Sequence, residues 1–411
     1  MNNADKNKTT FILYANASSL LDHTNGASKS VRLILEELAN HKCTVHAVMG
    51  CTSDCKEGFK NNQAIWLEQK HNKGKLRRFT KNRVQYSLIA TEHWSRQYLA
   101  ADEQELIYRE SQELIDLAAR SFTQKIIIGW GNLLLEESLF KYAKENGFRI
   151  HFYLANPTYK DKNVPTLDMA TSIFTDSKAT KDLYSNDLIG KITILPKCIE
   201  PPTIQQNAEH RWEQQTIIFV NPKPKKGVEA LIAIAYYLHT RRPHIKIRVV
   251  DPGDKFDKSL EQLQINKNKL PPNINIVGGF PDTDYLLSDI SCLLLLSLWH
   301  ESGSRLIYEC HLRGVPVIGF STGGTTELLR QFSNDLFPRP TTKIEKSTIR
   351  ICSWDSSPIA ERIIQLLSDI ECYKHHHKKI LEQSKKLYAN NTNAANIILG
   401  NTDKIDQSVS D

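Results

Sequence analysis

The sequence predicts an α/β protein with two domains of similar build, and three observations lead to that class. Short apolar segments alternate with segments whose apolar residues recur at helical spacing, which is the pattern of parallel βαβ units. The chain has 411 residues, too many for one ordinary hydrophobic core. Residues 196–215 contain prolines and little periodicity, and they separate the segments into two groups. We therefore expect two Rossmann-like domains, residues 1–200 and 201–372, and a helical tail, residues 373–411.

The first half contains six predicted strands with helices between them. Each strand is short and mostly apolar, as expected for strands that are buried on both faces of a parallel sheet. Apolar residues at helical spacing predict the helices. The predicted strands are residues 10–15, 44–49, 125–128, 149–154, 172–175 and 191–195. The predicted helices are residues 31–39, 103–120 and 133–146.

A glycine-containing turn, Asn25-Gly26-Ala27-Ser28, stands at the start of the first of these helices. Glycine allows close approach of a ligand to the backbone, and the free amides at a helix start attract anions. The dinucleotide and P-loop fingerprints are both absent. The turn is therefore either an anion-binding site that involves Gly26 and Ala27 or an ordinary capped helix start.

The second half repeats the alternation. Polar loops follow its predicted strands, and an open α/β sheet binds ligands at the carboxyl ends of its strands. The predicted strands are residues 216–220, 246–250, 274–277, 293–296 and 315–320. The predicted helices are residues 228–239, 305–312, 357–368 and 370–388.

Charged and glycine residues occupy the loops at these strand ends. Lys223, Lys225 and Lys226 precede Gly227, and lysine beside glycine suits a diphosphate. The turn at residues 302–304 could present backbone amides to phosphate, and Arg305 adds a cation.

A carboxylate lies one helix turn beyond that arginine. Glu309 could accept two hydrogen bonds from a vicinal diol such as that of ribose. The residues together predict a nucleotide-diphosphate site, and the alternative is a set of solvated loops on a structural domain.

Three motifs follow one another in this half. They are Glu301-x7-Glu309, Gly314-Val315-Pro316-Val317-Ile318, and Gly323-Gly324 with Glu327. Their combination resembles glycosyltransferase family 4, whose members are retaining enzymes of the GT-B fold. More weakly, residues 221–227 resemble the basic phosphate loop of that family, residues 192–202 its linker, and Gly26-Ala27-Ser28 its first-domain glycine-rich loop.

The resemblance implies a fold and a role for each matching residue. The fold has two Rossmann-like domains that face a cleft, and a C-terminal helix that crosses back to the first domain. Glu301 would contact the transferred sugar, Lys226 would neutralise the leaving phosphate, and Glu309 would bind ribose. Further donor-binding positions would be Gly303, Ser304, Arg305, Lys223, Asn221 and Gly279. The positions on the acceptor and phosphate side would be Gly26, Ala27 and Asn156.

Three positions depart from the family pattern. Asn221 stands where the family usually has arginine, so either Lys223 or Lys225 would supply the second cation or the site would be weaker. Ser302-Gly303-Ser304 replaces the usual Gly-Phe-Gly. Asn156 follows a strand after which many members carry histidine, and asparagine cannot act as a base.

Charge and composition limit the partners. The net charge of +7 and the pI near 8.8 favour anionic partners. Residues 70–83 are strongly basic and predict either a solvated loop or a docking surface for an anionic acceptor or a membrane. No zinc finger, aromatic RNA-binding pattern or helix-turn-helix signature supports nucleic-acid binding.

Two acidic residues, Asp282 and Asp284, are spaced like a metal-binding D-x-D but are interpreted as a helix N-cap.

We therefore expect a metal-independent, retaining hexosyltransferase of polysaccharide biosynthesis that needs no cofactor. Its donor would be a UDP- or GDP-sugar, and its acceptor a glycan or lipid-linked glycan. The polar N-terminus and the absence of a long apolar run favour a cytoplasmic protein, at most peripheral at the inner membrane face. The alternatives are a sugar-nucleotide epimerase or hydrolase on the same fold and a non-catalytic sugar-nucleotide-binding or assembly protein.

Overall fold

The chain forms two compact units. The computed structural model describes residues 10–22, 24–69, 74–155, 157–160, 162–184, 188, 190–280 and 282–401. The first unit is discontinuous in sequence: it comprises the residues up to Cys198 and those from Ala389 onward. The second unit is Ile199–Tyr388. The two units are described separately below.

The first unit is built on an eight-stranded sheet. Its strands are β1 (Thr10–Ser18), β2 (Thr44–Thr52), β3 (Leu76–Lys81), β4 (Val84–Ile89), β5 (Gln124–Gly129), β6 (Arg149–Leu154), β7 (Ser172–Thr175) and β8 (Ile192–Ile194). They lie in the order β3-β4-β2-β1-β5-β6-β7-β8. All neighbours are parallel except β3 and β4, which form an antiparallel hairpin.

Successive side chains of a strand point to opposite sides of the sheet, so apolar strands give the sheet two apolar faces. Helices cover both of these faces. Phe11 and Leu13 of β1 belong to the core on one face, and Ile12 and Tyr14 to the core on the other. The described helices are α1 (Gly26–Asn40), α2 (Lys56–Glu68), α3 (Ala101–Ser121), α4 (Leu134–Glu145), α5 (Pro165–Asp168) and α6 (Lys178–Lys181).

The second unit has a six-stranded parallel sheet. Its strands are β9 (Thr216–Val220), β10 (Lys246–Val250), β11 (Ile274–Val277), β12 (Cys292–Leu295), β13 (Val317–Phe320) and β14 (Leu336–Phe337). Their order is β11-β10-β9-β12-β13-β14, which is the Rossmann order. The strand order reverses between β9 and β12, so the loops after these two strands border the topological switch point where such sheets bind ligands.

The remaining elements of the second unit pack around this sheet. A separate hairpin consists of β15 (Thr341–Glu345) and β16 (Thr348–Ser353). The helices are α7 (Ala208–Glu213), α8 (Val228–Arg241), α9 (Lys255–Gln262), α10 (Thr283–Ser288), α11 (Arg305–His311), α12 (Gly324–Leu329), α13 (Ser357–Ser368) and α14 (Ile370–Ser384). The last described helix, α15 (Asn390–Leu399), returns to the first unit, where Ala394, Ala395 and Ile398 join the core beside α1.

The predicted α/β class with two Rossmann-like units is confirmed, and the last described helix belongs to the first unit. The predicted boundary of the helical tail differs from the structure. Tyr373 of α14 is fully buried in the second unit, and its hydroxyl donates to the carbonyl oxygen of Ser291 at 2.7 Å. The helix therefore completes the second core, and only the segment from Ala389 onward joins the first unit.

The basic segment is a strand rather than a loop in its described part. Residues 70–73 lie outside the described residues, and β3 occupies Leu76–Lys81. Lys75 pairs with Asp102 at 2.9 Å, and Arg78 donates from two nitrogens to Glu110. The strand was not predicted because its residues are mostly charged and polar. Charged residues are common in strands such as β3 that lie at the edge of a sheet.

Residues 375–377 are three histidines within the predicted helix 370–388, for which the polar run predicts a solvated face, and the structure departs from this at the last of them. His377 is buried, and its Nδ1 lies 2.8 Å from the carbonyl oxygen of Gly314. A Cβ added at Gly314 would overlap the His377 ring. The histidine thus packs against the turn that follows α11.

Candidate active site

The loops after β9 and β12 touch each other at the switch point of the second sheet. Gly227 has φ of +92°, and a Cβ added there would overlap the carbonyl oxygen of Leu296. The backbone amide of Leu298 donates to the carbonyl oxygen of Lys225 at 2.9 Å. The glycine that follows the lysines therefore permits the two loops to join.

Replacing Gly227 by alanine is expected to destabilise the second unit by at least about 2 kcal/mol, because the new methyl meets backbone and the φ is left-handed. The measurement is denaturant unfolding followed by circular dichroism. Gly278→Ala is the matched control, since a Cβ at Gly278 has nothing within 4 Å. Equal midpoints for the two variants would contradict the packing argument.

Glu301 lies in the loop after β12 and is held by three donors. Lys226 Nζ, Ser297 Oγ and Trp299 Nε1 all hydrogen-bond to its Oε1, the last at 3.0 Å. Among the described residues, none donates a hydrogen bond to Oε2. The glutamate is thus fixed through one oxygen, and its other oxygen has no partner within the described chain.

The ion pair sets the charge state of this glutamate. Burial acts to raise the pKa of Glu301, but the Lys226 ammonium and the three hydrogen bonds outweigh it and hold that pKa below its usual value. The carboxylate therefore remains ionised at neutral pH. An ionised carboxylate beside a lysine can stabilise positive charge that develops on a ligand.

Two residues of this site were not predicted from the sequence. Ser297 and Trp299 lie four and two residues before Glu301 and supply two of its three donors. The Trp299 ring also lies beneath Lys225, whose Nζ is 3.8 Å from the ring centroid. The sequence did contain a signal for both residues. They follow within three positions of the apolar run at residues 293–296, and residues at the end of a parallel strand border the ligand side of the sheet.

The third loop, after β13, is tied to the same glutamate through the backbone. The amide of Gly324 donates to the carbonyl oxygen of Glu301 at 2.7 Å. A Cβ added at Gly323 would overlap that oxygen, and the φ of Gly323 is +51°. Gly323 is therefore required by the close approach of the loops after β12 and β13.

Glu309 and Arg305 lie together on α11. Arg305 Nε is 3.4 Å from Glu309 Oε1, and both side chains are more than nine-tenths buried. Arg313 donates to the carbonyl oxygen of Glu309 at 2.8 Å and pairs with Asp284. The predicted ribose-binding carboxylate is thus on a well-anchored helix, with Arg305 directed to it in the structure.

The other predicted donor-binding residues occupy three places. Asn221 has a left-handed φ of +63°, a region that asparagine tolerates better than arginine, and its buried Oδ1 has no partner among the described residues. Lys223 begins the turn Pro224–Lys226. Gly303 and Ser304 precede α11, beside Glu301 in the chain, whereas Gly279 follows the edge strand β11, two strands from β9.

In the first unit, the structure shows a capped helix start at the glycine-containing turn. The Asn25 side chain accepts hydrogen bonds from the amides of Ala27 and Ser28, at 2.9 and 3.2 Å. Gly26 is the first residue of α1. Two of the amides that an anion would use are therefore already paired, while Asn156 lies outside the described residues.

The D-x-D spacing belongs to a helix cap, as the sequence predicts for its first residue. Asp282 accepts a hydrogen bond from the amide of Tyr285 at 3.0 Å. Asp284 pairs instead with Arg313 and accepts from the amide of Thr203 at 2.9 Å. Within the described ranges, no group of three or more His, Cys, Asp and Glu side chains is arranged to hold a metal ion.

Fold and site together define an α/β protein with two Rossmann-like units, the second of which carries a lysine–glutamate pair at its switch point. Residues 202–383 match the family model for glycosyl transferases group 1. The part of the chain that holds the site therefore has the sequence pattern of that family. No curated protein sequence matches the chain.

Solved structures of low sequence identity share the fold. Anabaena HepE in complex with UDP-glucose matches with a TM-score of 0.61 and 14% identity, over 95% of this chain and 99% of that one. The catalytic domain of Arabidopsis thaliana starch synthase IV, bound to ADP and acarbose, has a TM-score of 0.57 at 12% identity, over 94% and 99%. A mutant of S. aureus TarM, in complex with fondaparinux, α-GlcNAc-glycerol and UDP, has a TM-score of 0.57 at 11% identity, over 94% and 100%.

Proposed function

We propose that this protein is a retaining glycosyltransferase that moves a hexose from a nucleotide-diphosphate sugar to a hydroxyl of a glycan or glycolipid. The observation that carries the proposal is the contact of Lys226 with the buried Glu301 at the switch point of a unit that matches the group 1 glycosyltransferase model. Glu301 and Lys226 act on the reacting sugar and its leaving phosphate. Glu309 binds the ribose hydroxyls of the donor.

The reaction breaks the bond between the anomeric carbon and the phosphate oxygen and forms a bond to the acceptor oxygen. Lys226 can use one of its three N–H donors for Glu301 and offer others to the departing phosphate. Glu301 remains negative beside the anomeric carbon and stabilises the positive charge that develops there. These charges are supplied by side chains, so the proposed mechanism requires no metal.

We infer retention of configuration from how Glu301 is held. Three donors bind its Oε1 and its pKa is below the usual value, which makes it a weak base and a weak nucleophile. The acceptor proton then passes to the leaving diphosphate on the same face of the sugar. The incoming oxygen therefore occupies the face that the phosphate leaves.

The donor and acceptor classes are supported by the structural neighbours and by charge. HepE was solved with UDP-glucose, and starch synthase IV with ADP and acarbose. We infer a UDP- or GDP-sugar donor and a role in polysaccharide synthesis. Peripheral membrane contact at residues 70–83 gains little support, because Lys75 and Arg78 already form ion pairs. No described helix is long and apolar enough to cross a bilayer.

The first test is a thermal-shift screen against UDP-, GDP-, ADP- and dTDP-sugars, because a ligand that binds the native state raises its melting temperature. One nucleotide class is expected to raise the melting temperature, by about 2–5 °C at saturating ligand. Product analysis with and without glycan acceptors follows with that donor. Rapid donor conversion without acceptor would instead indicate an epimerase or hydrolase. Binding without turnover on any acceptor would indicate a non-catalytic binding protein, for which the asparagine at position 221 is the motivating observation.

A further inference from the structure

We propose that Lys225, held over the ring of Trp299, is the second cation of the diphosphate-binding site. It supplies the charge that the resemblance expects from an arginine at the position of Asn221. The inference rests on the proposed function and identifies which side chain of the basic loop binds the phosphates. It commits the site to Lys225 rather than to Lys223.

Charge balance is the first support. The Lys226 charge is neutralised by Glu301, and Arg305 pairs with Glu309. Lys225 is half-buried, and it forms no ion pair with a carboxylate of the described chain. A partly desolvated ammonium beside a second ammonium is unfavourable unless an anion completes the site.

The electrostatics of Lys225 agree with this geometry. Burial lowers the pKa of Lys225, the neighbouring Lys226 lowers it further, and Glu301 raises it. A bound diphosphate would oppose both lowering effects and favour the charged form. Diphosphate binding therefore relieves a cost that the protein carries in its absence.

Trp299 gives this lysine a defined position. The Lys225 Nζ is 3.8 Å from the ring centroid, within cation–π distance, and the Lys226 Nζ is 5.4 Å from it. The indole N–H donates to Glu301 at 3.0 Å, which fixes the ring. The carbonyl oxygen of Lys225 is itself held by the amide of Leu298. Trp299 is thus a positioning residue that links both lysines to the glutamate.

The backbone suits asparagine at position 221 and brings the two lysines to the site. Asn221 adopts a left-handed φ, and its amide extends the pairing of β9 with β10 by donating to the carbonyl oxygen of Val250 at 3.0 Å. The turn Pro224–Lys226 then carries Lys225 and Lys226 to the loop after β12. These two adjacent lysines stand at the end of the turn, whereas the resemblance implies an arginine at its beginning.

The test is calorimetric titration with the nucleoside diphosphate that binds in a panel of UDP, ADP and GDP, and with its monophosphate. Lys225→Met is expected to weaken diphosphate binding about 10- to 100-fold, as expected for loss of a charged hydrogen bond. The effect on monophosphate binding should be smaller. Lys258→Met, an exposed lysine on α9, serves as the matched control and should change affinity less than about twofold.

A double-mutant cycle tests the role of Trp299. Trp299→Leu and Trp299→Phe both lose the indole N–H bond to Glu301, so the difference in diphosphate affinity between them reports the aromatic ring alone. Trp299→Phe, which keeps a ring, should bind more tightly than Trp299→Leu. That difference should disappear when both changes are made in the Lys225→Met variant, because the ring acts on the diphosphate through Lys225. An equal difference in the presence and absence of Lys225 would overturn the positioning role of the ring.

The outcomes separate this inference from the function on which it rests. Wild-type binding with an unaffected Lys225→Met variant would overturn the inference and leave the proposed function standing. A loss confined to Lys223→Met would assign the second cation to Lys223 and overturn it as well. Absence of diphosphate binding by the wild-type protein would overturn both.

Discussion

Glu301→Gln is expected to lower the rate of sugar transfer about 10²- to 10³-fold, the usual cost of removing one preorganised electrostatic group at a reacting centre. Glutamine has nearly the same shape but no charge. It cannot balance Lys226 or stabilise positive charge at the anomeric carbon. Donor affinity should change less than turnover, because the lost interaction strengthens as the transition state forms.

The measurement is steady-state kinetics with the donor identified by thermal shift, reported as kcat and donor KM separately. Glu382→Gln, on the exposed side of α14, is the control for loss of one negative charge. A melting temperature within a few degrees of wild type would show that the site remains folded. Turnover within about threefold of wild type would remove Glu301 from the proposed mechanism.

Replacing Glu309 is expected to weaken nucleotide binding about 100-fold, since two hydrogen bonds from ribose hydroxyls to a carboxylate are lost. Glu309→Gln is a better variant than Glu309→Ala for testing the ribose-binding role. Alanine would remove the oxygen that Arg305 Nε contacts at 3.4 Å, whereas glutamine keeps an amide oxygen at that place.

Comparing a ribonucleoside diphosphate with its 2′-deoxy counterpart tests whether Glu309 binds the ribose in particular. The wild-type protein should bind the ribonucleoside diphosphate more tightly than its 2′-deoxy counterpart, and Glu309→Gln should lose most of that preference. Equal discrimination in wild type and variant would place the ribose elsewhere, even if both bind more weakly. Calorimetry on the two ligands gives the four affinities that the comparison needs.

The hydrophobic pattern of the sequence predicted the central strands better than the edge strands. Apolar runs such as residues 293–296 predicted most of the central strands, because strands buried on both faces need apolar residues on both sides. The strands that were missed are β3, β4, β14 and the hairpin of β15 and β16. Most of them lie at sheet edges or outside the main sheets, where one side meets solvent and polar residues are tolerated.

The site was predicted unevenly for a related reason. Glu301 and Lys226 fall in motifs of fixed spacing, and the structure brings their side chains into contact although they are separated by 75 positions. Trp299 belongs to no such motif, and its role depends on two lysines that reach it from another strand end. Contacts between loops cannot be inferred from either loop alone.

The sequence by itself predicted the α/β class, a division near residue 200 and the charged residues at the strand ends. Local periodicity and turn chemistry carry that information, and neither depends on contacts between distant segments. Only the tertiary structure decided which cation is paired and which is not. Lys226 meets Glu301, whereas Lys225 lies over Trp299 without a carboxylate partner in the described chain, because Gly227 allows the loops after β9 and β12 to touch. Spatial neighbours determine charge balance, and the strand order that places β12 beside β9 creates those neighbours.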